Sequence, residues 1–241
     1  MSAIITMELS KKYGEAPAVD RLSLSVERGE LFSLLGVNGA GKTTTIKMLS
    51  CLVKPTSGSA FLLEASVTEE PQKVKQIINI SPQETAVAPN LSVWENLIMM
   101  ARIYGQDRKA SALSADAMIK RFGLGDVLKK KSKALSGGMQ RRLSIAMALI
   151  SDPKILFLDE PTLGLDVLAR RELWAAITAL KGKTTIVLTT HYMEEVEALS
   201  DRIGIMNRGK LLATGTLEEL LAQTGASNLE DAFVALVGGA A

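Results

Sequence analysis

The segment Gly36-Val37-Asn38-Gly39-Ala40-Gly41-Lys42-Thr43 holds the densest chemistry in the sequence and fits the spacing G-x-x-x-x-G-K-[ST]. Glycines let the backbone curl around an anion at angles that other residues avoid. The main-chain amides of Asn38, Gly39, Ala40, Gly41, Lys42, Thr43 and Thr44 are then expected to point inward at phosphate groups. A helix starting near Thr43 adds the positive end of its dipole. Lys42 brings a full charge to β- and γ-phosphates, and the Thr43 hydroxyl is a ligand for Mg²⁺. Such a loop needs a buried strand before it and a helix after it.

Two further segments gain meaning from that loop. Ile155-Leu156-Phe157-Leu158-Asp159-Glu160 is four apolar residues closed by two acids. A second buried strand beside the first puts Asp159 at its carboxyl end, near the metal position. Glu160 then stands where a carboxylate orients or deprotonates water. In Leu135-Ser136-Gly137-Gly138-Met139-Gln140, Ser136 is a good helix N-cap and the two glycines expose amides at the helix start. On these residues alone the segment is either a second anion site or a plain helix start.

Composition narrows what else the chain can do. It has 241 residues, room for one large domain or two small ones, with 47% hydrophobic and 22% charged residues. A single histidine, His191, excludes a metal site built on several histidines and leaves one residue for any triad. One cysteine, Cys51, excludes an internal disulfide framework and fits a reducing compartment. A net charge of +2 gives no footprint for nucleic acid, and none is expected as a partner. The longest uncharged stretch, Leu31 to Gly41, is eleven residues, whereas a spanning helix needs roughly 18. No basic region opens the chain as in a signal peptide, so a cytoplasmic protein is expected.

The elements that must carry these residues follow from hydrophobic period. Ile4 to Leu9 and Leu22 to Val26 alternate, as half-exposed antiparallel strands do. Leu31–Leu35, Ile77–Ile80, Ile155–Leu158 and Thr185–Leu188 are short continuous apolar runs, the pattern of parallel strands covered on both faces. Helices are predicted at Thr43–Cys51, from the Ser92–Glu95 capping box to Gly105, at Ser111–Phe122 closed by Gly123, and at Gly137–Ile150. Others are predicted at Ala169–Leu180 and Met193–Leu199, then a hairpin across Asn207-Arg208-Gly209 and a capping box at Thr216–Glu219. The expected class is α/β: a phosphate-loop NTPase core with a parallel sheet flanked by helices. To it are added an antiparallel β patch at the start and an inserted helical subdomain. The reading is one domain over 1–241, with an α/β core at 1–83 and 151–215, a helical lobe at 84–150 and a helical tail at 216–241.

Taken together in this order, the motifs resemble the ATP-binding subunit of ABC transporters over essentially the whole chain. Gly36 to Thr43 resembles the Walker A loop, and Gln83 in Ser81-Pro82-Gln83-Glu84 matches the Q-loop glutamine. Leu135 to Gln140 resembles the signature motif; Asp159 and Glu160 match the Walker B aspartate and catalytic glutamate. Asp166 in Gly164-Leu165-Asp166 matches the D-loop, and His191 the switch histidine. Tyr13 sits where the family stacks a ring on adenine. Val37 and Val167 replace frequent prolines and Met139 a frequent glutamine, without removing a group that meets phosphate or metal.

The resemblance implies ATP and Mg²⁺ as cofactors and a head-to-tail pair of identical subunits with ATP between them. Lys42, Thr43 and Asp159 of one subunit then hold nucleotide and metal, with Gln83 sensing metal and water, while Ser136, Gly137 and Gly138 of the other meet the γ-phosphate. Glu160 is the implied base, His191 the γ-phosphate contact, and a separate transmembrane permease the partner. That places the chain peripherally on the inner face of the cell membrane. The segments Asn228–Phe233 and His191–Val196 resemble the exporter branch of drug, antibiotic and polysaccharide efflux. The alternatives are an assembly or scaffold ATPase, or a repair or translation factor. The run Lys129–Lys133 is read as a solvated face, with anionic lipid or a partner loop as the other reading.

Overall fold

The alternating runs at the start are parts of two long strands, β1 (Ser2–Tyr13) and β2 (Ala16–Glu27), paired antiparallel around Gly14 at φ +64°. The structure, a computed structural model, describes residues 1–239. In chain order follow β3 (Leu31–Leu35), α1 (Lys42–Leu49), β4 (Ser57–Leu62), β5 (Ala65–Ser66), α2 (Pro71–Ile77) and β6 (Ile78–Ser81). Then come α3 (Val93–Ile103), α4 (Arg108–Arg121) and α5 (Gly137–Leu149), with short 3₁₀ turns at Gly125–Val127 and Ser132–Ala134. The chain continues through β7 (Ile155–Asp159), α6 (Val167–Thr178), β8 (Thr185–Thr190), α7 (Met193–Leu199), β9 (Arg202–Asn207), β10 (Lys210–Gly215), α8 (Leu217–Thr224) and α9 (Leu229–Gly238).

The six-stranded sheet has the order β10-β9-β3-β8-β7-β6, parallel except for β10, which returns antiparallel on β9. Its continuous apolar strands are covered on both sides, as their composition required. Phe32, Leu34, Ile155 and Phe157 face one core with Ile46 and Met48 of α1 and with Ile4, Leu9 and Leu62 of the antiparallel sheet. Leu31, Leu156, Leu158 and Leu188 face the opposite core with α5, α6 and the helices of the lobe. Phe32 and Phe157 are fully buried, and truncating either to alanine would cost about 3–5 kcal/mol. The phosphate loop therefore leaves the middle of a rigid sheet, with α1 clamped between two sheets behind it.

Helix ends follow their caps. Ser92 and Thr216 both form full capping boxes, with Glu95 and Glu219. Two helices start earlier than their apolar period predicts. Asp107 accepts from the Ala110 amide at 2.8 Å and starts α4 at Arg108, not Ser111. Asp166 accepts from the Ala169 amide at 2.9 Å and starts α6 at Val167. In both, an acid placed before polar or exposed residues defines the first turn without any apolar signal. The antiparallel sheet has order β2-β1-β4-β5. Its strands β4 and β5, with α2 after them, occupy a stretch where hydrophobic period predicts no element.

Candidate functional site

The loop after β3 owes its path to backbone contacts that admit no side chain. A Cβ on Gly36 would lie 2.4 Å from the Met206 carbonyl oxygen, and one on Gly41 2.4 Å from that of Ala18. Gly41 also sits at φ +102°, outside the range of ordinary residues. Lys42 follows and is 6% exposed. Its Nζ donates to the carbonyls of Gly36 (2.7 Å) and Val37 (3.2 Å) and lies 3.3 Å from Glu160 Oε1. The ammonium is thereby fixed at the mouth of the loop rather than left to swing on its stem.

The carboxyl end of β7 supplies both acids. Asp159 Oδ1 accepts from Thr43 Oγ1 at 3.1 Å and from Thr189 Oγ1 at 2.5 Å. Glu160 stands just past the strand at φ +46°, a left-handed conformation costing on the order of 1–3 kcal/mol in a non-glycine residue. Its amide is held by the Thr189 carbonyl at 3.0 Å. That turn aims Oε1 at Lys42 and Oε2 at His191 Nδ1, 2.9 Å away. The bond fixes the orientation of the His191 ring toward the Glu160 carboxyl group. The His191 ring lies 4.1 Å from that of Tyr192, over which the Arg170 guanidinium sits at 4.8 Å.

Lys42, Thr43, Glu160 and His191 line one cleft of about 510 Å³, the size of a small-molecule site. Around it stand Tyr13, Asn38, Gly39, Ala40, Gly41, Lys42, Thr43, Thr44, Gln83, Glu160 and His191, all expected from sequence, and Ala18 and Leu163, which were not. Tyr13 is half exposed, with Lys11 Nζ 5.3 Å from its ring centre. Thr43 Oγ1 and Asp159 Oδ1 are two hard oxygens side by side, and among the described residues no three His, Cys, Asp or Glu side chains form a cage. That donor set fits Mg²⁺, which takes its other ligands from phosphate oxygens and water.

Six predicted residues do not line this cleft, Asp159 among them, which meets it through its bond to Thr43. Ser136 caps α5 by accepting from the Met139 amide at 3.3 Å, and with Gly137 it is exposed. A Cβ on Gly138 would touch that of Ala169 at 3.1 Å, so the first turns of α5 and α6 lie together. Asp166 caps α6 and faces solvent. Gly36 meets the site through its carbonyl, bound by Lys42.

Two partners of the acids, and one further buried acid nearby, escaped the sequence reading. Thr189 holds both Asp159 and the Glu160 amide. Arg141 of α5 is 4% exposed and donates to main-chain carbonyls on either side of Glu160. Burial pulls its pKa down to about 10, against the charges of Asp159, Glu195 and Glu160, so it stays protonated at neutral pH. Glu195 of α7 is fully buried and accepts from Trp174 Nε1 at 3.1 Å; burial pushes its carboxyl above the usual carboxylate range. An arginine and a glutamate inside helical patterns carry no signal of burial, and a threonine in an apolar strand passes for β-propensity.

A parallel sheet that ends in a glycine loop, a fixed lysine and an acid pair defines a nucleotide-binding ATPase core. The family model for the ABC transporter matches residues 19–163. The chain is 42% identical over 228 residues to the daunorubicin/doxorubicin resistance ATP-binding protein DrrA of Streptomyces peucetius, covering 94% of this chain and 69% of that protein. It is 40% identical to the probable multidrug ABC transporter ATP-binding protein YbhF of Escherichia coli, covering 98% of this chain but 42% of YbhF. A solved structure of an ATP-binding subunit of an ABC transporter superposes with TM-score 0.87 at 28% identity, covering 98% and 99% of the two chains. The ATP-binding cassette MJ0796, in a dimeric post-hydrolysis state bound to ADP and Pi, gives TM-score 0.80 at 25% identity over 89% and 98%. The chain belongs to the ABC transporter family, and it is an ATP-binding ATPase of that family.

Proposed function

We propose that this chain is the nucleotide-binding subunit of an exporter, pairing head to tail with a second copy around ATP and driving a separate membrane permease. The observation that carries the pairing is that one chain bears two phosphate-binding devices that do not meet. The cleft is lined by Lys42, Thr43, Glu160 and His191, with Asp159 bound to Thr43 behind it, whereas Ser136, Gly137 and Asp166 stand exposed outside it. Exposed Val167 and Leu168, on the α6 turn that meets Gly138, accompany the second device, giving a partly apolar face of the kind that subunits bury. Export of a small molecule is supported by relatives named for drug resistance; among the described residues no helix is long and apolar enough to cross a membrane. Attachment to the inner membrane face follows from the same reading.

Within that reading the loop amides and Lys42 bind the β- and γ-phosphates, and Tyr13 covers the base. Thr43 and Asp159 are the residues that would hold Mg²⁺, whose charge offsets that of the phosphate oxygens; Gln83 faces the same space. Glu160 orients water and takes its proton, and His191, steered by its bond to Glu160, supports the γ-phosphate. Phosphoryl transfer needs mainly placement and charge, and these residues supply both.

The test is Glu160→Gln. Turnover falls by about 10²–10⁴-fold, the usual contribution of a general base, while ATP binding persists and the chain runs as a dimer with ATP and Mg²⁺. Hydrolysis at the wild-type rate removes Glu160 as the base, and an ATP-saturated monomer removes the head-to-tail pair. A polytopic membrane protein as the main copurifying partner supports transport; a soluble assembly complex in its place refutes it.

A further inference from the structure

Arg141 lies on the second turn of α5, the helix that Ser136 begins, and its guanidinium reaches four main-chain carbonyls in two other segments. Nε donates to Pro161 at 2.9 Å and Nη2 to Asp159 at 2.7 Å, so the two carbonyls flanking Glu160 are both held. Nη1 donates to Gln83 at 3.2 Å and to Pro82. Among the described residues the arginine makes no side-chain ion pair, although three carboxylates lie within its field. For stability alone a buried charge is a poor choice, since a well-packed apolar residue serves as well or better. What a planar fork of five donors offers is fixed relative placement of the groups it binds, which a lysine ammonium cannot reproduce. The groups bound are the Gln83 turn and the Asp159 and Pro161 carbonyls on either side of Glu160, which stands at a left-handed φ of +46°.

We propose that Arg141 is a positioning residue for ATP hydrolysis: it locks the signature helix α5 to the Gln83 turn and to the Asp159–Pro161 segment, so that Glu160 and Gln83 keep one geometry about the γ-phosphate. Movement of Ser136 at the start of α5 is thereby transmitted to the base of the same chain. This rests on the reading that Glu160 and Gln83 act at the phosphate. Arg141 is buried and does not line the cleft, so its loss acts on turnover and spares affinity.

The experiment uses the full chain with Arg141→Met and Arg141→Lys, beside wild type and Glu160→Gln. Melting temperature, the Kd of a fluorescent ATP analogue, KM and kcat are read for each. Arg141→Met lowers kcat at least about tenfold, because misplacement of reacting groups by an ångström is enough to do so, while Kd and KM stay within about threefold. Arg141→Lys, with one charge and no fork, falls between. If Arg141→Met does not fold, Arg141→Lys decides by the same split. Wild-type kcat in a folded variant overturns the proposal. So does a parallel loss of kcat and binding sites in proportion to the unfolded fraction. Should Glu160→Gln hydrolyse ATP like wild type, the base assignment is what fails; inactive Glu160→Gln beside fully active Arg141 variants fails the proposal alone.

Discussion

Gly41→Ala and Gly39→Ala separate two physical demands on the phosphate loop. Both glycines have positive φ, +102° and +81°, and a side chain at either costs about 1–3 kcal/mol in backbone strain. They differ in space. No described heavy atom lies within 4 Å of a Cβ on Gly39, while a Cβ on Gly41 would lie 2.4 Å from the Ala18 carbonyl oxygen. To reach ordinary contact the loop and β2 must part by about 1 Å, adding about 1–3 kcal/mol of overpacking. Gly39→Ala should thus cost about 1–3 kcal/mol and Gly41→Ala about 2–6. At about 2–4 °C per kcal/mol for a chain of this size, the second variant melts about 2–12 °C below the first. The displaced amides also lose at least one charge-assisted hydrogen bond to phosphate, about 1.5–3 kcal/mol, or tenfold and more in Kd. Differential scanning fluorimetry with and without Mg-ATP, and equilibrium titration with a fluorescent analogue, read both effects. Equal melting temperatures and equal affinities for the two variants would refute the steric reasoning.

Tyr13→Ala should weaken ATP by about 1–3 kcal/mol, the worth of one base stacked on a ring, and leave tripolyphosphate binding unchanged. Equal weakening of both ligands in calorimetric titrations would show that Tyr13 contacts no base. Glu195→Gln keeps an acceptor for Trp174 Nε1 and removes a buried acid whose native pKa is raised above the usual 4.5. The native state binds that proton more tightly than the unfolded chain does. Its stabilising contribution is therefore complete below pH 4.5 and lost as pH rises through the native value. Chemical denaturation of variant and wild type should show the variant gaining relative stability as pH rises above 4.5; a constant difference would count against it.

Glycine spacing, a lysine and two strand-ending acids were enough to name most of the cleft, because a phosphate loop is a local device written in consecutive residues. The covered strands were equally readable from their unbroken apolar runs. Strand β4 was not: its first residues Ser57-Gly58-Ser59 carry no pattern, and its place is set by pairing with β1. Arg141 and Thr189 act on residues far away in sequence, so their roles exist only once the sheet has formed. Similarly, nothing local marks Glu160 as left-handed; the backbone there is dictated by Thr189 across the sheet.

The hairpin turn between β9 and β10 has a consequence for the order in which the protein is made. Gly209 donates from its amide to the Ala40 carbonyl at 3.0 Å and accepts at its own carbonyl from the Asp20 amide at 2.8 Å, so it ties the phosphate loop to β2. The loop is translated well before its clasp, which follows the strands β8 and β9 that flank β3. A ribosome-bound chain stopped short of Gly209 holds every glycine of the loop and its lysine yet has no closed cradle. ATP capture should begin abruptly as that turn leaves the exit tunnel, which spares the nascent chain from binding nucleotide while half its core is still unmade.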